Sequence, residues 1–108
     1  MEIFDSGNGK HCLTIIDTDI DDRTYELFEE HSLHGGGYTW RGVLWSLIEM
    51  YMPTEADSLT DIGAEADNAY VYSADCKKLE RLSELFRSAL EDHEIIKAAI
   101  AQGGGEIE

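Results

Sequence analysis

The sequence predicts an α+β fold, a small single domain in which antiparallel β hairpins pack against a central helix and a C-terminal helix. Three features predict it: an Asn-Gly turn between two strand-like runs, a glycine triplet that precedes an apolar helical stripe, and a Leu-rich stripe of the same period near the C-terminus. We expect the domain to occupy residues 1–102, followed by a flexible glycine-rich tail over residues 103–108, whose last three residues are frayed.

The first hairpin is predicted from residues 2–4 and 10–16. The second run contains Leu13-Thr14-Ile15-Ile16, which is apolar and β-branched and therefore typical of a buried strand. The connection over residues 5–9 is rich in turn formers and includes Asn8-Gly9, a dipeptide that favours tight hairpin turns.

A strongly acidic segment follows, with seven acidic residues and one basic residue between positions 17 and 30. Its Asp-x-Asp-x-Asp spacing is that of a calcium-loop start, but Asp22 stands where the loop needs Gly and Phe28 where it needs Glu. We therefore expect an acidic loop with a helix cap at Asp21 or Asp22. Residues 23–31 are predicted as a short helix, and the alternation of Tyr25 and Leu27 leaves a strand open.

The central helix is predicted to follow the triplet Gly35-Gly36-Gly37, with Thr39 as its cap and Pro53 as its stop. Glycines in a row indicate either unusual dihedrals or a close backbone approach, and we interpret them as a flexible hinge. Helical spacing places one apolar stripe toward the core; its members are Trp40, Leu44, Leu47, Ile48 and Tyr51. Trp45 falls off this stripe and is the better candidate for an exposed aromatic anchor.

A second hairpin is predicted from residues 59–62 and 69–72, with a turn over residues 63–68. The two-residue period places Tyr70 and Tyr72 on one strand face, where aromatic pairs more often pack than bind. Ser73 or Asp75 then caps a helix, and His93 either restarts it or follows a bend. The apolar face of this helix is predicted to contain Leu79, Leu82, Phe86, Ala89 and Leu90.

Charge is the most unusual property of the composition. Eight Lys and Arg against 23 Asp and Glu give a formal net charge of −15. Such a chain repels nucleic acid and anionic membranes and attracts a basic partner at a rate that falls with salt. The sequence has no signal-peptide pattern and no apolar run long enough to cross a membrane, so it predicts a cytoplasmic protein with reduced thiols. We expect no cofactor.

Catalytic and metal-binding patterns are absent from the sequence. It has no Gly-x-Ser-x-Gly turn, no phosphate loop and no His-Glu-x-x-His pair, so we expect no enzyme activity. His31 and His34 lack a third ligand at a suitable spacing, so no metal site is predicted. Cys76, beside Lys77 and at a helix start, is the one candidate thiolate, while Cys12 suits a buried position; a single disulfide between the two cysteines is left open.

The order of motifs resembles the immunity protein 51 family of bacterial polymorphic toxin systems. Gly37-Tyr38-Thr39-Trp40 matches the family's Gly-Tyr-x-Trp at a helix start, and residues 63–66 with 69–73 resemble its acidic turn and aromatic strand. The turn departs from the pattern, since it keeps only Glu65 of an expected Asp-Pro-Glu. The resemblance covers residues 25–92, and its structural motif here is Gly36, Gly37, Tyr38 and Trp40.

Membership of that family implies a small α+β protein that binds and blocks a co-produced toxin inside the cell. Together with the charge, it predicts a basic, nuclease-type toxin as the partner. We expect the contact surface to include Asp17, Asp19, Asp21, Asp22, Glu29, Glu30, Trp45, Asp57, Asp61, Glu65 and Asp67, with Glu55 as a further candidate. The alternatives are a DNA-mimic inhibitor of another nucleic-acid enzyme and a small enzyme that uses Cys76 or a histidine. The oligomeric state is left open.

Overall fold

The computed structural model describes residues 1–103 and 107–108 and confirms the α+β class. Its strands are β1 (Glu2–Gly7), β2 (Lys10–Ile16), β3 (Asp61–Glu65) and β4 (Asn68–Ser73). Its α-helices are α1 (Asp22–Glu30), α2 (Gly37–Tyr51), α3 (Cys76–Glu91) and α4 (His93–Gly103). Short 3-10 segments at Asp17–Asp19 and Pro53–Ser58 follow β2 and α2.

The four strands form one antiparallel sheet in the order β1-β2-β4-β3. The first hairpin is confirmed, and its turn has φ values of 56° at Asn8 and 76° at Gly9. Positive φ at both central positions matches the right-handed twist of the strands, which explains why Asn-Gly predicts this turn. Residues Ile16 and Asn68 pair at one end of the sheet, and His11 and Ser73 pair near the other.

The strands of the second hairpin have different bounds from those predicted, and the turn between them is shorter. β3 begins at Asp61 and continues to Glu65, so only Ala66 and Asp67 separate it from β4. Leu59, predicted to be in the strand, lies in the loop before it and is fully buried, with its N–H donating to the Ala56 carbonyl over 3.0 Å. Burial of that leucine in the core, rather than strand pairing, accounts for its apolar character.

The two faces of the sheet have different environments. Leu13, Ile15 and Val71 are fully buried on the face that packs against α2 and α3. Phe4 and Ile16 point to the opposite face, where they remain 46% and 44% exposed. On that face the rings of Tyr70 and Tyr72 also pack edge-on, with centroids 5.7 Å apart, as expected for a packing pair.

The apolar stripes of α2 and α3 form the centre of the core. Trp40, Leu44, Leu47 and Ile48 are buried, and so are Leu79, Leu82, Phe86 and Ala89. The stripe prediction is wrong at Tyr51, which is 43% exposed as the last residue of α2. Met52, just beyond the helix end, is buried in its place, because the chain leaves helical geometry there before Pro53.

Two of the predicted helix caps are confirmed and a third is wrong. Asp21 caps α1 and Asp75 caps α3, each accepting a hydrogen bond from a backbone N–H in the first turn. The Thr39 cap is wrong, because α2 begins at Gly37 with Gly36 as its N-cap. Thr39 lies inside the first turn and its Oγ1 accepts a hydrogen bond from the N–H of Gly35 over 2.9 Å.

Replacing Asp21 with Ala should lower the free energy of unfolding by about 1 kcal/mol at neutral pH, because the helix loses its cap. The Asp21 carboxylate accepts bonds from Thr24 Oγ1 and Thr24 N at 2.7 and 2.8 Å, and these bonds lower its pKa below the ordinary 3.8. The stabilisation is therefore complete above pH 3.8 and is lost as pH falls through the lower native pKa. Urea unfolding measured at a series of acid pH values checks both effects.

The matched control is Asp21→Asn, since Asn caps helices as well as Asp but does not titrate. We expect it to keep most of the stability at neutral pH and to show a shallower loss of stability in acid than the wild type. An acid profile that is unchanged in Asp21→Asn would contradict the assignment.

The C-terminal region departs from the predicted tail at its last two residues. Asp92 interrupts the helix, so α4 is a separate helix that ends at Gly103. Residues 104–106 of the predicted tail lie outside the described residues. Ile107 is only 7% exposed, and the N–H of His34 donates to the Glu108 carbonyl over 2.8 Å. The prediction of a frayed end is therefore wrong for these two residues, because one is packed and the other is hydrogen-bonded.

Candidate functional site

Gly36 and Gly37 of the glycine triplet pack closely against the backbone of the second hairpin's turn, and these two residues are here called the glycine seat. A Cβ on Gly37 would lie 2.0 Å from the Glu65 carbonyl oxygen and 2.1 Å from that of Asn68. A Cβ on Gly36 would lie 2.5 Å from the carbonyl oxygen of Ala66, to which the Gly37 N–H donates over 3.0 Å. Of the two roles that glycines in a row indicate, the packing favours close backbone approach over a flexible hinge.

Two side chains of α2 fix the loop that leads into this seat. The Trp40 Nε1–H donates to the Gly35 carbonyl over 2.9 Å, and Thr39 Oγ1 accepts from the Gly35 N–H. Gly35 has a φ of 81°, which favours glycine. Trp40 is fully buried, as predicted, so the Gly-Tyr-x-Trp motif serves to lock the start of α2 against the hairpin.

The exposed face of α2 lines a cleft of about 340 Å³, here called the aromatic cleft. Tyr38 and Trp45 remain 41% and 43% exposed, which places Trp45 on the surface as predicted. The Arg41 guanidinium lies 5.4 Å from the centroid of the Tyr38 ring, within the range of a cation–π contact. The other lining residues are Gly42, Ser46, Thr60, Ile62, Gly103 and Ile107.

Ile107 forms part of the cleft wall because two glycines make room for it. A Cβ on Gly42 would lie 2.9 Å from Ile107 Cγ1, and a Cβ on Gly103 would lie 2.6 Å from the same atom. The isoleucine therefore packs between α2 and the end of α4, and its burial helps to define the cleft.

Two of the predicted contact residues also have structural roles. The Asp19 carboxylate pairs with the N-terminal ammonium of Met1 and also accepts from the Ile16 N–H over 2.9 Å. The Asp21 carboxylate is occupied by the N–H and hydroxyl of Thr24. Both residues were predicted as contacts from their charge, and local hydrogen bonding explains their presence at least as well; for Asp21 this is the helix cap that the sequence also predicted.

Other predicted acids are exposed and form two groups. The helix group consists of Asp22, Glu29 and Glu30 on α1. The hairpin group consists of Asp17, Glu65 and Asp67, which share one end of the sheet because Ile16 pairs with Asn68 and Asn68 with Glu65. No cation lies within 4.0 Å of a carboxylate in either group, as far as residues 1–103 and 107–108 show.

The remaining predicted acids lie at the opposite end of the second hairpin. Asp61 begins β3 and lies 3.7 Å from Lys10 Nζ, and Asp57 lies in the 3-10 segment before it. Glu65 lies four positions after Asp61 along the strand, a span of about 13 Å. Glu55 pairs with Arg81 over 2.7 Å. The structure therefore places Asp57 and Asp61 away from Glu65 and Asp67 instead of joining all the predicted acids in one patch.

Sequence reasoning missed Arg41 and assigned Tyr38 only a place in the motif. A signal was present, because Tyr38, Arg41 and Trp45 follow the i, i+3, i+7 spacing of a single helix face. This face lies beside the apolar stripe that contains Trp40. The apolar stripe indicated the face of the helix that packs in the core. The second face contains the charged Arg41, so it resembled ordinary solvent-exposed helix surface.

The reactive pair of Cys76 with His93 is not supported by the geometry. Desolvation and the carboxylates of Glu80 and Asp75 raise the pKa of Cys76, whereas the sequence suggested that its position would lower it. His93 lies beyond the other end of α3, about 22 Å along the helix axis, and its Nε2 is 3.1 Å from Thr24 Oγ1. Cys12 and Cys76 are both free thiols, and Cys12 is buried.

Within the part of the chain that the structure describes, no three His, Cys, Asp or Glu residues are arranged to hold a metal ion. In the same residues, none of the helices combines the length and apolarity that crossing a membrane requires.

A family model described as Immunity protein 51 matches residues 1–104 of the 108-residue chain. No curated protein and no solved structure matches the chain. The family match spans nearly the whole sequence, including the glycine seat, both acidic groups and every lining residue of the aromatic cleft except Ile107. It confirms the resemblance first seen in Gly37-Tyr38-Thr39-Trp40, and the protein is therefore an immunity protein of the Immunity protein 51 family.

Proposed function

We propose that this immunity protein neutralises a basic, nuclease-type toxin of a bacterial polymorphic toxin system by binding it in the cytoplasm, without chemistry of its own. The observation that carries the proposal is the pair of exposed acidic groups in a chain of net charge −15. The helix group and the hairpin group offer six carboxylates with no cation close to them among the described residues.

Electrostatics suggests how such a surface would block a nuclease. A nuclease binds phosphates through Lys and Arg side chains in its substrate groove. Carboxylates held on a rigid fold can occupy the same positions, and complementary charge speeds the encounter of the two proteins. Glu65 and Asp67 of the hairpin group are well suited to this role, because Gly36 and Gly37 pack against the backbone of the turn that carries them.

Reversing the charge of the hairpin group should weaken capture of the toxin. For Glu65→Lys combined with Asp67→Lys, we expect the Kd for the co-encoded toxin to rise at least about tenfold at low salt, with a flatter salt dependence. Calorimetry at two salt concentrations measures both quantities, and survival of cells that express the toxin gives the biological result. Glu29→Lys combined with Glu30→Lys applies the same test to the helix group.

The matched control is Glu84→Lys combined with Glu91→Lys on α3, since these residues are exposed and outside the predicted surface. It changes the net charge by the same amount, so a general loss of attraction affects all three variants equally. If both acidic groups can be reversed with no more effect on Kd and salt dependence than the control, the assignment of these groups fails.

A further inference from the structure

We propose that the aromatic cleft receives an acidic side chain of the toxin, whose carboxylate pairs with Arg41 between the rings of Tyr38 and Trp45. This inference rests on the proposed function for the identity of the partner. The net charge predicts contacts in which carboxylates of the immunity protein bind cations of the toxin. The cleft contact has the opposite polarity, because the immunity protein supplies the cation.

Arg41 is one of five Lys and Arg residues that have no acidic side chain within 4.0 Å among the described residues, and it faces a cleft whose described lining contains no carboxylate. Lys10, Arg81 and Lys97 each lie within 4.0 Å of an acidic side chain. For Arg41, the described residues supply no such partner, although acids greatly outnumber bases in the sequence. Its contact with the Tyr38 ring holds the guanidinium at the cleft wall.

The walls of the cleft are suited to enclosing an ion pair. Tyr38 and Trp45 are large aromatics left more than two-fifths exposed, and the volume of about 340 Å³ admits one side chain with space for water. Burying the pair beside these two aromatic side chains lowers the local dielectric and strengthens the attraction. Tyr, Trp and Arg are also the residue types that most often dominate binding energy at protein interfaces.

Charge also selects the occupant. A second copy of this chain would bring two net charges of −15 together, which disfavours self-association through this face. A guanidinium is planar and pairs with a carboxylate through two parallel hydrogen bonds, so an Asp or Glu of the toxin is the matching group. Long-range attraction alone leaves the relative orientation of the two proteins loosely defined. One such contact would fix that orientation.

The test compares Arg41→Gln with Arg87→Gln, which lies exposed on α3 outside the cleft. Each variant removes one positive charge, so general attraction to a basic toxin predicts equal or tighter binding for both. We expect Arg41→Gln to raise the Kd for the co-encoded toxin about tenfold or more in calorimetry, while Arg87→Gln changes it less than about twofold. Arg41→Lys should restore only part of the affinity, because it keeps the charge but loses the paired geometry.

Two further measurements identify the occupant and separate this proposal from the proposed function. Alanine replacement of each exposed Asp and Glu of the toxin, combined with Arg41→Gln, should reveal one carboxylate whose effect disappears in the double variant. Equal affinities of the Arg41→Gln and Arg87→Gln variants, or the absence of any coupled carboxylate, would overturn the cleft assignment alone. Failure of the wild-type protein to bind or neutralise the toxin would instead overturn the proposed function.

Discussion

Replacing Trp40 with Ala should lower the free energy of unfolding by about 3–5 kcal/mol, the cost typical of removing a buried aromatic side chain. Trp40 is the largest of the fully buried side chains, and its indole N–H donates to the Gly35 carbonyl over 2.9 Å. The substitution leaves both a cavity and an unpaired carbonyl. Since a domain of this size is stable by about 5–15 kcal/mol, the loss should be visible in urea unfolding followed by far-UV circular dichroism.

Trp45→Ala on the same helix is the matched control for this prediction. Its side chain is 43% exposed, so we expect a change in stability of no more than about 1 kcal/mol. Trp40→Phe separates the two contributions of the buried residue, because it retains most of the volume and loses the hydrogen bond to Gly35. Comparable losses in Trp40→Ala and Trp45→Ala would contradict the placement of the two tryptophans.

Replacing Gly37 with Ala should cost about 3 kcal/mol or displace the second hairpin, because the new methyl group has no room. It would approach two backbone carbonyl oxygens at 2.0 and 2.1 Å, and backbone atoms cannot move aside as a flexible side chain can. The displaced turn contains Asp67 and adjoins Glu65, so toxin binding should fall together with stability. Urea unfolding and calorimetry with the toxin measure the two effects.

Gly9→Ala provides the control for a glycine whose space is open. No atom lies within 4 Å of a Cβ at that position, and the φ of 76° leaves only the backbone strain of about 1 kcal/mol. A Gly37→Ala variant as stable as Gly9→Ala, with unchanged toxin affinity, would show that the hairpin does not depend on this seat.

These two predictions concern the same part of the molecule as the binding proposals. Trp40 and Gly37 lie on the buried side of the start of α2, and Tyr38, Arg41 and Trp45 lie on its exposed side. The hairpin group of acids is held against the same helix start by the Gly37–Ala66 hydrogen bond. A single helix terminus therefore positions the aromatic cleft and one of the acidic groups.

Several structural features followed from short stretches of sequence. The Asn8-Gly9 turn, the Asp21 and Asp75 caps and the end of α2 before Pro53 depend on the dihedrals and hydrogen bonds of neighbouring residues. Helical spacing also separated the buried Trp40 from the exposed Trp45. The start of α2 was placed three residues late, because Thr39 has the chemistry of a cap but bonds to Gly35 from inside the first turn.

The candidate site was less predictable than the fold. Composition predicted an acidic binding surface, but it could not show that Asp19 has structural partners or that Asp61 and Glu65 lie at opposite strand ends. β3 begins two residues later than predicted, because Leu59 is buried by distant parts of the core instead of pairing in the sheet. The helical spacing of Tyr38, Arg41 and Trp45 indicated a shared face, but whether Arg41 has an acidic partner depends on residues far away in the chain.

The linear order of residues was thus enough to fix the fold class, the turns and the division of helix faces, because those depend on backbone geometry and periodicity over a few residues. Which carboxylates remain free, how closely the hairpin approaches Gly37 and where a cleft opens beside Arg41 were decided by packing between distant segments. Such contacts are set by the shape of the whole core, and no local pattern encodes them.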